Sequence, residues 1–116
     1  MTTTRGGAAS RPADLAAIVH AAGALYLGLA GRDLRDVLAV GFSLADVAEL
    51  RRRSRAGLAR TIADALRRTG SSAAFAPAAV DRILAVEEEG WDAWQEVVDG
   101  VIADVDGHGW SAPTAA

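Results

Sequence analysis

Two histidines, fifteen carboxylates and twelve arginines are the groups in this 116-residue sequence that could move a proton, hold a metal or grip an anion. His20 stands in an apolar run, where a hydrogen-bonded core histidine is the expected reading, and His108 stands in a glycine-rich stretch near the end. Metal-binding spacings such as His-Glu-x-x-His or Glu-x-x-His are absent, and without cysteine there is no thiolate site and no disulfide frame. The glycines lack the spacing of a phosphate loop, and the chain has no lysine to complete one. Neither a catalytic residue nor a metal or cofactor is therefore expected. The acids Glu88, Asp92, Glu96 and Asp99 recur on one helical face, which reads as a solvated or arginine-matching surface. Glu87 differs because it falls on an apolar seam between Leu84 and Trp91. An unpaired carboxylate there is costly, so it must meet an arginine or reach water.

The elements that must position these groups are helical. Half the residues are hydrophobic and 23% are charged, the balance of one soluble domain. Residues 1–13 offer nothing to bury and read as a disordered lead; 14–105 form a single helical domain, and 106–116 a loose tail. The almost wholly apolar run 15–30 is short of a membrane span and predicts a helix buried on most sides. A short amphipathic helix follows, with Leu34, Val37 and Leu38 on one face and Gly41 as its stop. Ser43 with Asp46 is an N-cap signature, and Ser54 caps a further helix that ends near Arg68, with Gly70 placed as the C′ glycine. Phe75 is placed to staple the next helix, with Pro77 in its first turn. From Val80 to Val105 the apolar spacing of four and three predicts the longest helix, with a heptad seam through Leu84, Trp91, Trp94, Val98 and Val101 and with Glu87 at the skipped position. The expected fold is an all-α bundle of four or five helices with a helix-turn-helix-like middle and a long C-terminal helix.

Charge is segregated along the chain. Residues 1–49 carry four Arg against five acids, 50–70 carry seven Arg against Asp64 alone, and 71–116 carry Arg82 against nine acids. The basic segment is either neutralised by the acidic one or offered to phosphates. The sequence 43–62, with Ala48 at the expected helix crossing and Ser54 as cap, resembles the helix-turn-helix of bacterial repressors. That likeness implies that Arg52, Arg53, Arg55 and Arg60 face nucleic acid. The turn must then be made with Arg52 and Arg53 where the motif has glycine and a buried aliphatic.

The run Tyr26-Leu27-Gly28-Leu29, Asp33-Leu34-Arg35, Ser43-Leu44-Ala45-Asp46-Val47-Ala48, Ser54, Gly57-Leu58 and 79–84 resembles an all-helical module of actinobacteria and their relatives. That module occurs often in exported proteins and sometimes in tandem, and the resemblance implies a helical architecture without an activity. The primary functional expectation is a non-enzymatic protein-interaction module, a homo-oligomer or partner of another helical protein. Trp91, Trp94, Val98 and Val101 of the C-terminal helix would bury the contact, with Glu87 and its neighbours meeting Arg51–Arg55. The alternative is a helix-turn-helix DNA-binding protein, which the net charge of −3 disfavours. A third is a carrier of a small apolar ligand around His20, Tyr26 and Trp94. No membrane span is expected, and the location is read as cytoplasmic with export as the open alternative.

Overall fold

The computed structural model describes residues 11–109, with side chains from 15 to 107. The order is α1 (Arg11–Leu27), α2 (Gly31–Val40), α3 (Leu44–Leu50), α4 (Arg55–Arg68), a 3-10 turn (Ser72–Phe75), α5 (Pro77–Leu84) and α6 (Trp91–Asp104), which runs on into a π-helical turn (Val105–Gly109). The fold is all-α, with no strand among the described residues.

Helix α1 lies between α4 and α6 and contributes Ala16, Val19, Ala24 and Leu27 to the core. Trp94, Leu34, Leu38, Leu44, Leu58, Ile62 and Leu66 converge on them, all fully buried. Gly23 lets the other helices close on α1, since a Cβ there would stand 3.2 Å from a Leu44 methyl. The capping signatures hold: Ser43 and Asp46 form a reciprocal capping box, and the Ser54 hydroxyl accepts from the Gly57 amide.

Three helices end in the same way. The amide just beyond the left-handed residue bonds back to the carbonyl five residues before it: Leu29 to Ala24, Arg53 to Ala48 and Ser71 to Leu66. These are Schellman closures, which need a left-handed residue at C′. Gly28 and Gly70 supply it in the first and third, whereas in the second the position is held by Arg52 at φ 56°. The α3–α4 turn is thus made without its glycine, as the sequence required.

Several expectations are corrected. The long C-terminal helix is two helices, because the chain leaves the helical path at Ala85 and resumes at Trp91. A continuous helix would have driven Glu87 into the apolar seam. The break leaves Glu87 exposed while Val86 still buries, and Gly90, at φ 108°, donates its amide to Ala39 across the fold. Phe75 lines a pocket with Val80 at the start of α5, but it leaves most of its ring in solvent, being 73% exposed. Helix α1 begins at Arg11, inside the expected lead, of which 1–10 lie outside the described residues. Residues 106–109 are not loose tail: the Asp106 carboxylate accepts from the Ser71 hydroxyl at 3.2 Å and the Ser72 amide at 2.9 Å. The His108 side chain and Trp110 lie outside the described residues.

Among the described residues no single helix is long and apolar enough to cross a membrane, and the apolar stretch from Leu15 to Val40 is bent by 108° between its two helices.

Candidate functional site

The seam residues chosen for an intermolecular contact belong to the chain's own core. Trp94 and Val98 are fully buried and Val101 nearly so, against α1 and its neighbours, which leaves only half-buried Trp91 in reach of a partner. The reason is geometric. Once the helix breaks, α6 folds back onto α1 and spends its apolar face there.

The three residues proposed for a ligand pocket do not meet. His20 packs edge-on against Trp91 with ring centroids 4.8 Å apart, and Trp91 stacks on Trp94 at 5.3 Å. His20 Nε2 donates to the Gly31 carbonyl at 2.9 Å, the hydrogen-bonded arrangement expected of it. Burial pulls its imidazole below the ordinary range; the Gly31 bond opposes this, and the nearby Arg35 charge adds to it. Tyr26 is at the other end of α1, its hydroxyl donating to the Ser54 carbonyl at 3.0 Å over the start of α4. A Cβ on Gly57 would overlap that hydroxyl. Trp94 Nε1 is buried without a hydrogen-bond partner among the described residues.

Among the described residues Arg51, Arg52, Arg53 and Arg55 do not pair with Glu87, Glu88 or Glu89. Arg55 stands 3.9 Å from Asp81, Arg67 pairs with Asp64 at 3.1 Å, and Arg82 is 4.0 Å from Asp104. All six side chains are well exposed, so each pair is worth at most about 1 kcal/mol. The 85–90 loop instead lies against the end of α2, where Glu89 approaches Gly41. Arg51 is used internally. Its Nε donates to the Leu27 carbonyl and its Nη2 to the Gly28 carbonyl, at 3.1 and 3.3 Å, so the cation caps the carbonyl end of α1. Arg52, Arg53 and Arg60 are exposed and form no hydrogen bond or ion pair among the described residues.

No protein-family model, curated protein or solved structure matches this chain. Its own surfaces are what remain to speak for function.

One surface feature was not foreseen. Ala17, Ala21 and Leu25 recur every four residues on the outside of α1, all exposed, with Leu25 83% so. Beside them Ile18 and Ala22 join Thr61 and Ala65 of α4 in a groove of about 450 Å³, with Asp64 and Arg68 on its α4 side. The signal was present in the sequence, since the run 15–27 is apolar on every side. A helix of that kind needs cover all round, and the fold covers residues 15–27 on every side but the stripe Ala17, Ala21 and Leu25. Among the described residues no group of three or more His, Cys, Asp or Glu could hold a metal ion.

Proposed function

We propose that the chain is a non-enzymatic helical interaction module that self-associates through the outer face of α1 and the adjoining face of α4. The observation that carries this is the uncovered apolar stripe Ala17, Ala21 and Leu25 beside the α1–α4 groove. An apolar face of this width gains about 25 cal/mol for each Å² taken out of water. The small side chains Ala17, Ala21 and Ala22 let a second helix approach closely, and Leu25 supplies a knob for the facing groove. Charge favours a second copy as the occupant. Asp64, which pairs with Arg67 in its own chain, and Arg68, one helical turn on, lie along the same groove, and a twofold pairing would bring the Arg68 of each copy to the acid of the other. The contact thus moves from the C-terminal helix, whose apolar residues are spent inside the fold, to the helix that was expected to be buried.

Mass in solution tests this, measured by light scattering from about 1 to 200 µM and from about 0.05 to 1 M salt. The expected result is a dimer that Leu25→Glu converts to a monomer with its helical content unchanged, because Leu25 makes little contact within its own chain. A wild-type monomer throughout that range refutes the proposal, as does a dimer indifferent to Leu25→Glu.

A further inference from the structure

A second binding surface lies at the α3–α4 turn. Arg51 is fixed by its bonds to the Leu27 and Gly28 carbonyls. The Arg53 guanidinium lies beside it: the Nη2 atoms of Arg53 and Arg51 stand 3.4 and 3.5 Å from the point where a Cβ on Gly28 would be. Two guanidinium groups therefore share the space over one glycine, with no carboxylate pairing either among the described residues. Like charges side by side repel, and an anion placed between them removes that repulsion. Gly28 keeps the space open by having no side chain, and it is exposed. Next to this pair Arg52 occupies the left-handed C′ position, in which an arginine is strained and a glycine is not. Along the outward face of α4, Ala56 and Ala63 flank Arg60, and Phe75, Pro77, Val80 and Asp81 line the same pocket beside it.

We propose that the α3–α4 turn and the outward face of α4 bind the phosphate backbone of double-stranded nucleic acid, through Arg53, Arg52 and Arg60. The guanidinium fork suits phosphate oxygens, and the fixed Arg51 orients Arg53 without being consumed. A duplex fits better than a single strand, because Tyr26 at the turn is held to Ser54, and Phe75 beside Arg60 is a lone ring with no second aromatic to carry the next base. It also fits better than a lipid surface, because the exposed large apolar residues adjoining the arginines are Leu50 at the turn and Phe75 beside Arg60, on different elements, and stable membrane attachment needs a broader apolar anchor. Asp46 is occupied by its capping box with Ser43, and the acids that a bound backbone must pass are Glu49 beside Arg53 and Asp81, which lies beside Arg60 and 3.9 Å from Arg55. The α1–α4 groove is lined by other residues, so this site stands or falls apart from self-association.

The test uses the full chain and a labelled mixed-sequence duplex of about 20 base pairs, followed by anisotropy from about 25 to 300 mM salt. Binding is expected to weaken linearly in log–log form, each phosphate contributing about 0.9 to the slope. Arg53→Ala and Arg60→Ala should each weaken binding by about tenfold at low salt and shallow the slope by about one. Arg82→Ala, which alters only the pair with Asp104, should change nothing. Circular dichroism shows whether each variant folds, and both tested arginines are exposed. No duplex binding at the lowest salt overturns the proposal, as does a slope unaffected by both substitutions. Capture by phosphatidylserine vesicles with no duplex binding overturns it in favour of a membrane surface.

Discussion

Replacing Arg52 by glycine should make this protein more stable. Arg52 holds φ 56° because the α3–α4 turn closes as a Schellman motif, with the Arg53 amide on the Ala48 carbonyl at 2.8 Å and the Arg52 amide on that of Glu49 at 3.1 Å. A side chain in the left-handed region costs about 1–2 kcal/mol, because Cβ crowds the following carbonyl. Glycine removes that cost and gives back about 0.5–1 kcal/mol through its freer unfolded chain. The net expectation is a gain of about 0.5–1 kcal/mol. Arg52 makes no hydrogen bond or ion pair through its side chain among the described residues, so no contact is lost in exchange. Arg52→Ala is the control, since alanine keeps the Cβ and the strain while removing the charge, and it should leave stability nearly unchanged. For a domain of this size about 1 kcal/mol corresponds to roughly 4–8 °C in Tm. Arg52→Gly should therefore melt about 2–8 °C higher. Urea unfolding monitored by tryptophan fluorescence is the assay, because the Trp91–Trp94 stack is lost on unfolding. If Arg52→Gly is no more stable than Arg52→Ala, the strain argument fails. Should Arg52→Gly also bind duplex more weakly while folding more tightly, the strained arginine is there for binding and not for the turn.

Other perturbations probe other contacts. Gly57→Ala should lower stability in the wild-type chain, because its Cβ displaces the Tyr26 hydroxyl from the Ser54 carbonyl, but should raise it by up to about 1 kcal/mol in a Tyr26→Ala background, where only helix propensity acts. A double-mutant cycle in urea without that change of sign refutes the close approach. The His20 imidazole titrates below its unfolded value of about 6.5, so the unfolded chain binds the proton more tightly. Its contribution to stability is present above pH 6.5 or so and is lost as pH falls through the folded value. Denaturant midpoints between about pH 7.5 and 5 should fall with acid more steeply for the wild type than for His20→Gln. Equal slopes would place the pH dependence elsewhere. Trp94→Phe should cost little, since the lost volume is offset by removing the orphaned indole N–H, whereas Trp94→Ala should cost about 3–5 kcal/mol. A Phe variant as damaged as the Ala variant means that Nε1 is satisfied in solution.

Local chemistry made much of the fold legible from the residues alone. Ser43 with Asp46, Ser54 before Gly57 and Gly70 after Arg68 each settle a helix end through hydrogen bonds spanning a few residues, and all three form as their types and spacing require. The all-helical class follows from the same local rules. What tertiary structure alone decided was which apolar face meets which. The period through Leu84, Trp91 and Trp94 fits one long helix, but the carboxylate of Glu87 cannot be buried there. The chain breaks between Ala85 and Gly90 and turns α6 back onto α1. That single reversal spends Trp94, Val98 and Val101 inside the domain, carries Glu87–Glu89 to the end of α2 and leaves Arg52, Arg53 and Arg60 unpaired among the described residues. It also covers one side of α1 and leaves Ala17, Ala21 and Leu25 bare. Sequence fixes the ends of helices because their partners lie three or four residues away. The partner of an apolar face lies dozens of residues away, and only the folded chain selects it.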